Sequence, residues 1–364
     1  MKTVPVSDKA DRSYTLPAAA YIEPQILDLE KETIFFRSWL FAGHISELSE
    51  AGDYITRQIF DQSVLIIKGT DGEIRAFYNV CSHRAHELLS GSGQTDRIQC
   101  PYHAWSYHIN GAVKTIPGSD QMDLEKGEFC LKSVRSEIFG SMVFINLDEG
   151  SESLASLSPQ VPGEITSYFP DLDNVTLLSS SEHVSKSNWK ANVDNFVEFY
   201  HYGATHHSSP ELDSSSFQIV NHPNHIYQVA TPENSDSNDG EITPEQLHKQ
   251  LAFWYLWPNT GFSAFPGSPF FIVTTFEPDD ADTGRMQMKI YGPKDMADDK
   301  SFEDFRKAKA TILQEDVAAC ESVQRGLHSK GYNQGRFIID EDQQQVSESG
   351  VHHFHLMVLQ ALES

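Results

Sequence analysis

The sequence predicts an α+β chain, a small all-β unit followed by a domain that mixes strands with long helices. Three observations lead there. At 364 residues the chain exceeds the roughly 150 residues of a typical domain, so two main domains are the simplest division. Short β-branched and aromatic runs crowd residues 40–150, whereas helical spacing marks several stretches beyond them. Between the two lies Ser151–Gly163, SESLASLSPQVPG, whose serines and prolines read as a linker.

Residues 24–38, PQILDLEKETIFFRS, open on proline and space Ile26, Leu29 and Phe36 at helical intervals, which predicts an amphipathic helix. Residues 1–39 are therefore an N-terminal segment whose helix is expected to pack on the second domain. YITRQIF, SVLIIKG and EIRAFYNV, within residues 54–80, predict strands, and SYHINGAVK carries the Asn110-Gly111 hairpin signal. Domain 164–364 predicts a helix near 187–201, strands at FQIVNHP, FFIVTTFEP and RMQMKIYG, and a long helix over 302–329. Met286, Met288 and Ile290 alternate as in a strand with one buried face. PENSDSNDGEITPE, residues 232–245, reads as a polar loop.

The formal charge of −25 argues against nucleic acid as a partner and favours cations. Salt adaptation accounts for the same acidity equally well. Four cysteines in this length exclude a disulfide framework and fit a cytoplasmic protein. The N-terminus has no apolar stretch of signal-peptide length, and no apolar run reaches the roughly 18 residues of a membrane span. The sequon at Asn174 is then a chance match.

Residues 81–103 set Cys81 and His83 as C-x-H, then Cys100 and His103 as C-x-x-H. A zinc finger keeps like ligands together, whereas this order alternates them. Each pair follows a strand, so two facing loops would bring two thiolates and two imidazoles to one centre. A zinc site and a 2Fe-2S cluster with two cysteine and two histidine ligands both use such donors. His86 and His108 fall outside the pattern and read as ordinary polar residues. The stretch resembles the Rieske proteins: Pro101, Tyr102, Trp105 and the Gly91/Gly93 pair stand where that motif has them. The resemblance implies a Rieske 2Fe-2S cluster.

A cluster that passes single electrons does not account for the remaining 200 or so residues, so the second domain calls for a site that spends them. In WKANVDNFVEFYHYGATHH, Asp194, Glu198 and His201 share a helical face, and a helix loosening at Gly203 would return His206 to His201. Two histidines and one carboxylate make the Fe(II) site of a non-haem oxygenase. Asp316 is the candidate carboxylate, since it shares a face with Ile312, Ala319, Cys320 and Val323, where an unpaired charge is costly. A helix cap or an ion pair would explain Asp316 as well. Glu315 and Glu321 lie off that face and read as solvated.

From its first helix through EDVAACESVQRGL to HHFHLMVLQAL, the chain resembles the oxygenase (alpha) subunit of Rieske non-haem iron oxygenases. That resemblance implies a Rieske domain, a helix-grip catalytic domain with an antiparallel sheet and long helices, and Fe(II) held by His201, His206 and Asp316. It also implies a head-to-tail homotrimer in which Glu198 links the cluster ligand His103 of one subunit to His201 of the next. A Glu–His pair three residues apart is otherwise an ordinary helix contact. Glutamate at this place, with VDNFVEFYH and ESVQRGL, is similar to the branch acting on carnitine, glycine betaine and proline betaine. The reaction implied is hydroxylation of a carbon on quaternary nitrogen with O2, followed by C–N cleavage or N-demethylation. The alternatives are an aromatic-acid oxygenase and a Rieske electron carrier without a second iron. Phe253, Trp254, Tyr255, Trp257 and Phe262 are candidates for a cage around the ammonium, or else plain strand core. With no nucleotide-binding glycine motif in the chain, a separate flavin and ferredoxin-type reductase would deliver electrons from NAD(P)H.

Overall fold

The computed structural model describes residues 4–206, 211–213, 215–233, 249–340 and 344–363. Most of the polar loop at 232–245 lies outside these. The chain divides into two compact units, residues 35–154 and residues 1–34 with 155–364.

The smaller unit is all β. Its strands are β1 (Leu40–His44), β2 (Asp53–Ile59), β3 (Gln62–Lys68), β4 (Ile74–Tyr78), β5 (Ser92–Gln94), β6 (Ile98–Gln99), β7 (Ser106–Tyr107), β8 (Val113–Thr115), β9 (Ser133–Phe139) and β10 (Met142–Asn146). They form a seven-stranded sheet in the order β1-β10-β9-β4-β3-β2-β5 and a three-stranded sheet β6-β7-β8. Asn110-Gly111 turns between β7 and β8 as its signal predicted, Gly111 adopting φ +84°. Leu65, Ile67, Phe77, Ile98 and Tyr107 form one core with Cys81 and Cys100.

The larger unit is built on one antiparallel sheet. Its strands are β11 (Thr176–Ser185), β12 (Gln218–His222), β13 (His225–Ala230), β14 (Leu251–Leu256), β15 (Thr260–Ala264), β16 (Phe271–Pro278) and β17 (Gly284–Gly292), in the order β11-β17-β16-β15-β14-β13-β12. Met286, Met288 and Ile290 face the interior, as their alternation predicted. Besides a single turn at Leu154–Leu157, the α-helices among the described residues are α1 (Ala19–Ile22), α2 (Pro24–Glu30), α3 (Val161–Tyr168), α4 (Trp189–Phe196), α5 (Tyr202–Thr205), α6 (Lys300–Leu327) and α7 (Ser349–Glu363). Helix α4 packs on β16, β17, α6 and α7. The linker expected to run through Gly163 ends earlier, because its last residues already belong to α3.

The N-terminal helix departs from its predicted face. Its α-helical part stops at Glu30 and continues as a π turn over Lys31–Phe35. Leu29 is already exposed on the α-helical part, and beyond it the wider winding turns Ile34 and Phe35 inward. Glu30, polar and fully buried, accepts hydrogen bonds from Trp189 Nε1 at 2.8 Å and Lys190 Nζ at 2.6 Å. Through them the N-terminal segment anchors the start of α4.

Candidate metal centres and substrate cavity

Two loops of the β unit share one architecture. In each, the cysteine N–H donates to the carbonyl five residues on, Cys81 to His86 and Cys100 to Trp105, both at 2.8 Å. The alanine four residues on donates back to the cysteine carbonyl. Both alanines, Ala85 and Ala104, occupy the left-handed region at φ 56° and 58°, which few side chains tolerate. The reversal turns the thiols into the core and the imidazoles outward: Cys81 and Cys100 are buried and unpaired, whereas His83 is exposed and His103 half-buried. The two rings meet edge to face with centroids 4.8 Å apart, and Trp105 stacks flat on His83. His103 Nδ1 is buried without a hydrogen-bond partner, while Arg84 donates to its Nε2 at 2.9 Å. Tyr107 OH accepts from Ser82 N–H at 3.0 Å, which leaves its proton for Cys81 Sγ at 3.2 Å. Burial and that thiol push the phenol up to about 12. Two buried thiols and two imidazoles, one with an orphaned inward nitrogen, fit a cluster with a cysteine pair and a histidine pair.

The second centre begins where α4 ends. The chain leaves the helix at Val197 rather than loosening at Gly203 as predicted, because packing stops it there. Phe196 O accepts from Gln228 Nε2 at 2.9 Å, and Val197 O lies so close to Gly350 of α7 that an added Cβ would sit 2.1 Å away. Gly203 falls inside the single-turn helix α5, with His201 and His206 at its two ends. Their rings lie 5.2 Å apart, and Asp316 Oδ1 from α6 stands 3.4 Å from His201 Nε2 and 3.2 Å from His206 Nε2. That oxygen is buried yet makes no hydrogen bond. Three donor atoms converging without bonding one another fit a shared cation.

Carboxylates behind the rings set the tautomers. His201 Nδ1 is 2.5 Å from Glu198 Oε1, and the other oxygen of Glu198 accepts His201 N–H at 3.1 Å. His206 Nδ1 is 2.8 Å from Glu315 Oε2. Glu315 is therefore not the solvated residue its helical position suggested, since the turn at α5 brings His206 over it. Burial alone lowers the affinity of His201 for a proton, but Asp316 and Glu198 outweigh it and raise the pKa to about 9. Burial works against ionised Asp316 in turn, and the two imidazoles more than offset it. Asp194 has another task despite sharing the predicted face with Glu198. It accepts from Tyr21 OH at 2.7 Å and pairs with His355 Nε2 at 2.9 Å. Val323, expected on the buried face of α6, is 53 % exposed.

A cavity of about 450 Å³ opens on the His201, His206 and Asp316 cluster, with Phe199, Phe253, Phe265 and Phe305 in its wall. Of the five predicted cage aromatics only Phe253 lines it. Trp254 and Phe262 are cross-strand partners on the opposite sheet face, and Tyr255 and Trp257 pack on Phe354. The sequence reading missed Lys309, whose Nζ lies 3.4 Å from the Phe265 ring centre in the cavity wall. Among the described residues it has no anionic partner, and burial pushes its pKa down to about 7.

Residues 38–135 match the Rieske [2Fe-2S] domain family and residues 172–364 match the ring hydroxylating alpha subunit (catalytic domain) family. The chain is an oxygenase (alpha) subunit of the Rieske non-haem iron oxygenases. Among relatives of this Rieske oxygenase, the carnitine monooxygenase oxygenase subunit of Acinetobacter pittii (strain PHEA-2) is 33% identical, the alignment covering 96% of this chain and 95% of the relative. The chloroplastic choline monooxygenase of Atriplex hortensis is 29% identical over 97% of this chain and 79% of its own length. The quaternary ammonium Rieske monooxygenase CntA, solved with its substrate L-carnitine, superposes with a TM-score of 0.87 at 31% identity over 99% of both chains. The α+β class, with an all-β Rieske domain and an antiparallel catalytic sheet carrying long helices, agrees with these matches. The cofactors of the Rieske oxygenase are a 2Fe-2S cluster and a mononuclear iron, and it draws electrons from a reductase partner. No described helix is long and apolar enough to cross a membrane.

Proposed function

We propose that this oxygenase is a cytoplasmic monooxygenase acting on a quaternary ammonium compound that also carries a carboxylate, a betaine or carnitine-like molecule. The observation that carries this reading is the cavity: apolar and aromatic beside the His201, His206 and Asp316 donors, with the half-buried amine of Lys309 in its wall and no anionic partner for it among the described residues. Aromatic faces attract a trimethylammonium group once water is displaced. Lys309 complements the carboxylate at the other end of such a molecule. Carnitine and choline monooxygenases among the relatives support the ammonium half of the assignment.

In this reading Cys81, His83, Cys100 and His103 hold the cluster, and His201, His206 and Asp316 hold the iron. The iron, when bound, supplies O2 activation with electrons that come from NAD(P)H through a flavin and ferredoxin-type reductase. The protein's own groups do the positioning. Glu198 and Glu315 keep the proton of each imidazole on Nδ1, which would leave both Nε2 lone pairs available to hold the iron. The phenylalanines exclude water and place a carbon attached to nitrogen at the open side of the site. One O2, two electrons and two protons give the N–CH2OH or N–CH(OH) product and water. The new hydroxyl then gives up its proton as the C–N bond breaks, its electron pair leaving with nitrogen, so that a tertiary amine, an aldehyde and a proton are released; this is C–N cleavage or N-demethylation according to the carbon attacked. Glu198 also links to His103 of a neighbouring subunit in a homotrimer.

A panel of glycine betaine, carnitine, γ-butyrobetaine and choline, assayed with a generic reductase for formaldehyde and trimethylamine, tests the assignment. Turnover of a carboxylate-bearing quaternary amine is expected, with choline poor. An aromatic acid that reacts where every quaternary amine fails would refute it.

A further inference from the structure

A second set of metal-type donors lies in the catalytic unit, away from the iron site. His222 and His225 are the paired residues at the tip of the β12–β13 hairpin, and paired residues of antiparallel strands project from the same face. Their rings stack with centroids 4.2 Å apart and planes 14° from parallel. Glu164 of α3 faces both, its carboxylate oxygens 3.8 Å from His222 Nε2 and 3.4 Å from His225 Nε2. One donor atom from each of the three lies within 4.8 Å of the others.

The three donors converge without hydrogen-bonding one another. His225 is fully buried, and neither of its ring nitrogens has a hydrogen-bond partner among the described residues. Buried polar nitrogens are rarely left so. A Glu–imidazolium bond is the obvious alternative, but the 3.4 Å contact to Glu164 lacks hydrogen-bond alignment. The surroundings fix the donors. Trp254 Nε1 donates to Glu164 at 3.0 Å, and His353 of α7 bonds the His222 carbonyl at 2.7 Å. The side chains of His222 and Glu164 keep 25% and 23% exposure, which leaves an ion a path from solvent.

We propose that Glu164, His222 and His225 bind a divalent transition-metal ion of the zinc type, with water completing the coordination. The donor set, two imidazoles and a carboxylate, suits zinc. Its role is to fasten the edge strand β12 to helix α3. This site is separate from the iron: His225 pairs with Leu256, whereas the cavity residue Leu251 pairs with Ala230 at the other end of the same two strands. Five residues of strand put roughly 17 Å between those ends. The inference does not depend on the substrate assignment.

Metal analysis of the intact oxygenase, purified from zinc-supplemented and iron-supplemented medium, tests it. About one zinc per chain beyond the iron is expected. His225→Gln and, at the more exposed ligand, His222→Gln should weaken zinc roughly 100-fold or more, with iron content and the Rieske absorbance unchanged. Asp316→Ala should lose iron and keep that zinc. Zinc-edge X-ray absorption on the unsubstituted protein should show histidine in the first coordination sphere, a measurement that does not depend on the variants folding. The same zinc content in the wild type and both histidine variants overturns the proposal. So does zinc that disappears with Asp316→Ala, because it would then occupy the iron site.

Discussion

Glu198 gives one oxygen to the imidazole of His201 and the other to its backbone N–H. A Glu198→Gln variant keeps a similar shape but loses the charge that would make His201 a strong ligand in the proposed iron site, so we expect both metal centres to persist while coupled turnover drops roughly 10- to 100-fold. Iron analysis beside turnover checks this, and normal coupled activity would leave Glu198 a purely structural role. Lys309 sits near a pKa of about 7 because burial disfavours its charge. Below that pH it is an ammonium and pairs with a carboxylate; above it the pairing is lost. KM for a betaine should therefore rise between pH 7 and 9 while that for choline does not. Lys309→Met should raise the betaine KM by about 10- to 100-fold, the worth of a charged hydrogen bond, and abolish the pH dependence. At the other centre, Tyr107 donates to Cys81 Sγ, and a donor to cluster sulfur favours the reduced state. Loss of a bond worth about 1 kcal/mol corresponds to about 40 mV for one electron. Tyr107→Phe should lower the Rieske potential by that order in protein-film voltammetry, and an unchanged potential would show that the phenol does not tune the cluster.

Element packing explains why some of this was legible in the sequence and some was not. The two Cys–His loops were readable because each is local: strand, cysteine, reversal. The shared alanine four residues after each cysteine was visible too, although its left-handed conformation was not. The long helix and the Met286–Ile290 alternation were likewise local signals. The end of α4 was not, since it is set by the contact of Val197 with Gly350, residues more than 150 positions apart. The role of Glu315 and the course of the cavity wall follow from that same turn. Likewise β11 was missed because TLLSSSEHVS, at a sheet edge, has a largely polar surface. Gly350→Ala tests the contact directly. A Cβ there meets a backbone carbonyl rather than a yielding side chain, so the Glu198–His201 segment must move. We expect a loss of about 1–3 kcal/mol in stability and of mononuclear iron, with the Rieske spectrum intact. Full iron occupancy in that variant would show that the turn is positioned by other contacts.

For the whole molecule the question is whether the electron crosses between subunits. A head-to-tail interface whose rotation closes makes a ring, and in the proposed trimer every iron would be served by a neighbour's cluster. Two defective chains distinguish this from transfer within a chain. One carries His103→Ala and lacks a competent cluster; the other carries Asp316→Ala and lacks the iron. Each alone should be inactive, provided the unaffected centre is retained, which iron content and absorbance establish. Expressed together in equal amounts and assembled at random, they place an intact cluster against an intact iron at about one interface in four, so a ring predicts about a quarter of wild-type turnover. Transfer within a chain predicts none, because no chain holds both centres. Activity at the parental background in a mixed assembly verified by mass would therefore reject the trimer route and with it the bridging task assigned to Glu198.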